Sequence, residues 1–213
     1  MSGVDASETC RMLSSGDPDG AGRIAGGAVR KPSPSFFIVY AGVRGGVPME
    51  KSASSIGSFD GFDLDALLDA YVPFRDSESL GVTIPTLEDP SLAPDGHHVV
   101  LIHELIPHGY SGDWKADKEA LTEKVLGKAE HIVPGLSRRL AHVEAATPAT
   151  LARFTRNRGG AAFGWEQVPD IPRARHGVGN LHLAGHWTET GGGVLASAYS
   201  GVRAAARIVE AGG

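Results

Sequence analysis

The chain has 213 residues, 41% of them apolar, which is enough to bury a core in one domain or two small ones. Lys and Arg number 20 and Asp and Glu 25, a net charge of −5; with no basic stripe, this excludes a nucleic-acid binder. The single cysteine, Cys10, excludes an intrachain disulfide and a CxxC metal site.

The N-terminal stretch carries Asp5, Glu8, Asp17 and Asp19 and lacks the apolar core of a signal peptide. No run approaches the ~18 apolar residues of a membrane span. The expectation is a globular cytoplasmic protein. Residues 14–35, rich in Gly, Ser, Asp and Pro, read as loop. Phe36-Phe37-Ile38-Val39-Tyr40-Ala41 is short, aromatic and β-branched, and predicts a buried strand ended by Gly42, Gly45 and Gly46. Leu64, Leu67, Leu68 and Tyr71 fall at i, i+3, i+4 and i+7, the pattern of a helix over 64–71. Between Gly81 and Gly96, Pro85, Pro90 and Pro94 punctuate a loop that feeds a second buried strand, His98 to Ile102.

The clearest helix spans Lys115 to Ile132, with Leu121, Val125, Ala129 and Ile132 on one face, Asp113 as cap and Pro134-Gly135 as stop. A short strand is expected through His142-Val143-Glu144, then a Gly- and Arg-rich loop over 156–178. The chain closes as a unit: strand Leu181 to Ala184, glycine-rich turn Gly185 to Gly193, and a small-residue helix Val194 to Ala211. A strand running through glycines into a helix presents free backbone N–H groups and partial positive charge, which suits an anionic or polar part of a nucleotide cofactor. Read from the residues alone, Gly191-Gly192-Gly193 is either such a cradle or a flexible loop.

Other chemistries fail on spacing. His103-Glu104-Leu105-Ile106-Pro107-His108 misses the HExxH zinc signature by one residue and places Pro107 where a helix is required. His97-His98 and His182/His186 lack a third ligand, so no metal site is assigned. No GxSxG elbow is present, and no side chain stands out as a catalytic acid or base. A GxGxxG fingerprint is also absent: Ala21 to Ala28 has its glycines in the wrong order and no strand before it.

Three segments in order, Asp89 to Val100 (DPSLAPDGHHVV), Gly159 to Glu166 (GGAAFGWE) and Asn180 to Ala206 (NLHLAGHWTETGGGV to SGVRAAA), resemble the C-terminal half of the phytoene desaturase and carotenoid isomerase-like FAD-dependent oxidoreductases. The resemblance runs from about Ser33 onward. It implies an α/β fold: the C-terminal part of a Rossmann-like FAD oxidoreductase, with a mixed-sheet substrate domain and the closing strand–turn–helix of the FAD domain. Residues 1–32 would then be a remnant of the nucleotide-domain connection, 33–178 the substrate-binding domain and 179–213 the C-terminal FAD-binding segment.

The same resemblance implies FAD as cofactor, with Gly185, His186, Trp187, Thr188, Gly191, Gly192, Gly193 and Val194 at the flavin. Phe163 and Trp165 would line the path of a carotenoid-like substrate, core packing being the alternative for both. It departs from the family in lacking the GxGxxG unit and in placing His186 where many members carry an acid; a neutral imidazole accepts through one nitrogen only. The expected partner is a separate polypeptide carrying the GxGxxG half, and peripheral membrane contact follows from a membrane-dissolved substrate. The alternative is a non-catalytic module that binds a lipophilic ligand or a protein and never takes flavin.

Overall fold

The computed structural model describes residues 5–14, 16, 31–49, 53–63, 79–106, 112–168, 178 and 180–212. They fall into two compact units, one within Phe36–Ala149 and one within Met1–Ser35 and Thr150–Gly213.

The central unit is a sheet with a helix on one face. Strand β1 (Ser35–Arg44) alternates strictly, so Phe37, Val39, Ala41 and Val43 point inward and are at most 1% exposed. Strands β2 (Ser55–Ser58), β3 (Leu80–Thr83), β4 (His97–Ile106) and β5 (Leu140–Ala146) complete a sheet of order β2-β3-β4-β1-β5. The described pairings, β1 with β5, β2 with β3 and β3 with β4, are antiparallel. Helix α2 (Trp114–Ala129) lays Val125 and Ala129 on Val82, Val100 and Ile102. Each such side chain fully buried stabilises the fold by roughly 1.5–3 kcal/mol. Asp113 caps α2 by accepting from Lys115 N at 2.8 Å. Beyond its end the Glu130 carboxylate accepts from Gly135 N and Ser137 N, with Gly135 at φ +78°, as the Pro134-Gly135 stop requires.

One polar pair enters this core. Lys128 Nζ donates to Glu104 Oε1 and Oε2 at 3.1 and 3.2 Å, both side chains buried, and so ties α2 to β4. Helix α3 (Leu136–Arg139) leads into β5 and helix α4 (Pro148–Thr155) out of it.

The flanking unit holds helix α1 (Ala6–Leu13), a bridge of residues 31–34 with 162–166, and helix α5 (Val194–Gly212). The bridge is a short antiparallel ladder: Ser33 N donates to Gly164 O, Ala162 N to Pro34 O and Glu166 N to Lys31 O. Asp5 caps α1, is wholly buried, and pairs with Arg158 Nε at 3.4 Å.

Three expectations change. The Pro-punctuated loop after Gly81 contains β3 at its start and two single turns of 3-10 helix, Pro85–Leu87 and Pro90–Leu92. Strand β3 is four residues long and gets its burial from β4, so no periodic signal marks it. The strand expected at Leu181–Ala184 reduces to a single bridge residue, Leu183, because Asn180 at φ +58° and Gly185 at φ +97° turn the backbone at both ends. Helices α1 and α4 were not anticipated; each has eight residues, too short for a convincing apolar stripe. The helix expected over 64–71 lies outside the described residues.

Candidate functional site

The flanking unit brings two of the segments singled out in the sequence against each other. Gly164 sits at φ +76°, where a Cβ would overlap the carbonyl of His186. A Cβ at Gly192 would come within 2.5 Å of Phe163 Cβ. Only glycine permits both approaches, which is why the GGAAFGWE and GHWTETGGG stretches close on one another.

Hydrogen bonds fix the contact. Trp165 Nε1 donates to Trp187 O at 2.8 Å, and the two rings meet edge to face with centroids 4.9 Å apart. Trp187 Nε1 donates to Asn157 Oδ1 at 2.9 Å, and Asn157 Nδ2 donates to Ala161 O. Trp165 and Trp187 are 3% and 4% exposed and form a small core with Ala161. Both indoles therefore pack and brace, and Phe163, half-buried, covers Gly192. Gln167 completes the clasp: its Oε1 accepts from Gly192 N at 3.1 Å and its Nε2 donates to Trp165 O.

The turn itself is ordered by its own polar groups. Thr188, buried, donates its hydroxyl to Gly185 O, and Gly191 N donates to Thr188 O. Gly185 N donates to Ser200 Oγ at 2.6 Å, which anchors the start of the turn to α5. Gly191 and Gly193 take φ +77° and +96°, so this backbone is a defined cradle feeding the first turn of α5. That first turn carries no acidic side chain, and its N–H groups lack intrahelical acceptors by geometry. The first turn therefore presents partial positive charge, with no acidic side chain of its own to offset it.

His186 is half-buried, and burial pushes its imidazole below the ordinary histidine value against a smaller upward pull from Asp5. It is neutral at pH 7. Glu189 pairs with Arg203 and Arg207 at 3.5 and 3.3 Å. Burial raises its carboxyl, but its backbone hydrogen bond and the two guanidiniums outweigh that and hold it below the usual range.

Of the expected flavin residues, Gly185, Thr188, Gly191, Gly192, Gly193 and Val194 share the turn and helix start, whereas the Trp187 ring points into the core. Asn157, Gln167, Ser200 and Asp5, which hold this arrangement, carry no spacing signal; only the three-dimensional meeting of the glycine segments reveals them. Helix α5 has a further property. Leu195, Tyr199, Val202 and Val209 recur along one flank and are 87%, 60%, 65% and 74% exposed, while Ser200 and Ala204 are buried.

The chain matches the flavin-containing amine oxidoreductase family over residues 33–209, and it belongs to that family. It is 30% identical over 191 residues to the chloroplastic prolycopene isomerase of Arabidopsis thaliana, covering 83% of this chain and 30% of that protein. It is 27% identical over 211 residues to the neurosporene-forming phytoene desaturase of Cereibacter sphaeroides, covering 91% of this chain and 40% of that one. An oxidoreductase from Methanosarcina mazei of known crystal structure shares the fold at a TM-score of 0.50 and 16% identity, over 97% of this chain and 42% of that one. The chain thus spans well under half the length of these relatives. Among its described residues no helix is long and apolar enough to cross a membrane.

Proposed function

We propose that this chain is the flavin-facing and substrate-facing part of an FAD-dependent oxidoreductase of the phytoene desaturase or carotenoid isomerase type, acting on a lipophilic polyene. The observation that carries the reading is the cradle Gly191–Gly193 at the start of α5, held in shape by Phe163, Gln167 and Thr188. Residues 179–213 form the flavin-binding segment, and 33–178 supply the substrate-binding part. When bound, flavin would supply two-electron redox chemistry: in a desaturation it would take up a hydride while the neighbouring carbon loses a proton, and in an isomerisation the reduced form would act without net redox change. The chain's own residues would bind and orient: backbone N–H groups at Val194 and Leu195 would donate to a polar group of the cofactor, and a neutral His186 would offer one acceptor.

The adenosine diphosphate end of FAD is held by a GxGxxG unit that these 213 residues do not contain. The apolar flank of α5 supports this, since so much exposed Leu, Tyr and Val along one helix is the mark of an interface. The chain works in the cytoplasm, with peripheral membrane contact where it meets its substrate.

The test is reconstitution. The purified chain is mixed with FAD alone, and then with FAD and a polypeptide bearing the nucleotide-binding part of the desaturase relative. The expected result is no stoichiometric flavin absorption from the chain alone, a stoichiometric yellow complex after pairing, and conversion of a polyene by that complex. A pairing that retains no flavin overturns the reading; a chain that binds polyene under those conditions is the non-catalytic ligand-binding module instead.

A further inference from the structure

The two edges of the central sheet differ. At one end β2 has four residues; at the other β5 has seven, and among the described residues its one neighbour is β1. Antiparallel pairing turns alternate N–H and C=O groups of β5 towards β1 and the others outward. Sheets commonly blunt such an edge with lysine, proline or a bulge. Strand β5, Leu-Ala-His-Val-Glu-Ala-Ala, has neither lysine nor proline. Its register irregularity against β1, between Gly42 and Val43, falls at its start and leaves His142 to Ala146 in regular pairing.

A groove of about 520 Å³ lies between this edge and α2. Leu126, Val143 and Ala145 line it and rest on the core. Along its helix side the charges come in order, Lys115 and Lys118 first, then Glu119 and Glu123. That order is self-complementary. A two-fold axis normal to the sheet pairs β5 antiparallel with the β5 of a second copy, and it runs the two α2 helices antiparallel on the same face. The cations of each helix then approach the anions of the other.

The register is selected as well. Such an axis keeps the faces of the two strands matched, so it must pass through a residue. Through Glu144 it would oppose two carboxylates. Through Val143, the midpoint of β5, it overlaps the strands fully, sets His142 opposite Glu144 twice and places Ala141 opposite Ala145.

We infer that β5 is the seat of a symmetric dimer, in which a second copy of this chain adds its own β5 antiparallel about Val143. The two five-stranded sheets become one of ten strands, and Lys118 of each α2 faces Glu123 of the other. The edge, the groove and the charge order carry this inference without the flavin reading.

The test is the mass of the full chain, without cofactor, by sedimentation equilibrium over a range of concentrations. A reversible dimer is expected. Glu144→Lys, at an exposed position, sets an ammonium opposite His142 and raises the dimer dissociation constant about tenfold or more. Its melt, taken at a concentration where both proteins are monomeric, is unchanged. Glu123→Lys weakens the dimer likewise, and adding Lys118→Glu to it restores association, since the exchanged charges again face each other across the axis. A chain that is monomeric at every concentration, as it would be if another part of a longer polypeptide covers this edge, overturns the inference. A dimer whose dissociation constant neither Glu144→Lys nor Glu123→Lys alters overturns it too, and moves the contact to the apolar flank of α5. Should one of these variants fail to fold, the other decides alone.

Discussion

The two units hold themselves together in different ways. In Phe36–Ala149 stability comes from repetition: strands alternate, a helix stripe covers them, and the core is a continuous set of Phe, Val, Ile and Leu side chains. Among the described residues of the flanking unit, Ala161, Trp165 and Trp187 form one small buried cluster, and single contacts secure the turn beside it, two of them at glycines: Gly164 against the His186 carbonyl and Gly192 against Phe163. Repetition tolerates error because many similar contacts share the load, whereas a clasp of unique contacts fails at one position. The flanking unit is therefore the one in which single changes act most strongly, and the proposed cofactor cradle lies there.

The largest expected effect follows from the clasp. Trp187→Ala removes a buried indole, costs about 3–5 kcal/mol in lost packing, and leaves the Asn157 amide oxygen without its donor. Loss of the far-ultraviolet dichroism at a lower denaturant concentration than in the native chain reports it. A variant that melts like the native chain would show that the pair is ornamental. In the central unit, Lys128→Met removes the buried ammonium that donates to both Glu104 oxygens and costs about 3 kcal/mol or more. The double variant Lys128→Met with Glu104→Leu restores most of that in urea melts, because the sheet and helix then meet through apolar surface alone.

The glycine run sharpens the comparison within one turn. Gly192→Ala drives a methyl into Phe163 and costs about 1–3 kcal/mol, with loss of flavin from the reconstituted complex. Gly193→Ala has open space for its methyl but keeps a φ of +96°, so it costs about 1 kcal/mol through backbone strain only. Equal melting shifts for the two would mean that Phe163 does not rest on the turn.

The sequence makes the two units unequally legible for the same reason. Strands β1 and β4 and helix α2 with its Asp113 cap were readable because burial recurs at fixed spacing, period two or three to four residues. Helix α5 was readable from its run of small residues, although not the exposure of Leu195 and Tyr199, since periodicity says which residues share a face and not what covers it. Strand β2, Ser-Ile-Gly-Ser, carries no pattern at all; it exists because β3 beside it leaves an edge to pair. Gly164 and Gly192 were visible as glycines, but their role depends on His186 and Phe163 meeting them from more than twenty residues away. The Lys128–Glu104 pair was hidden because a lysine on a helix reads as a solvated charge until the strand opposite is known.

The smallest expected effect is one of pH, and each unit supplies a case. Glu189 in the flanking unit has its carboxyl held below the ordinary value: burial pushes it up, but its backbone hydrogen bond and the Arg203 and Arg207 guanidiniums outweigh burial. Glu130 in the central unit is lowered chiefly by the Ser137 backbone N–H, with further help from the Ser137 hydroxyl and Gly135 N. A carboxyl lowered on folding stabilises the native state at all pH values above its unfolded value, near 4.5, and the gain disappears as pH falls through the lower folded value. Glu189→Gln thus lowers the melting temperature by a constant amount between pH 7 and about 5, worth under ~1 kcal/mol for so exposed a pair, and the difference from the native chain closes on further acidification. Added salt separates the two sites. It shrinks the Glu189 effect, which depends on the half-buried Arg203 and the exposed Arg207, and leaves that of Glu130→Gln nearly unchanged, since hydrogen bonds from the Ser137 and Gly135 backbone are not screened. If salt altered both alike, the Glu130 contribution would have to come from the charge of Arg138 rather than from the turn that ends α2.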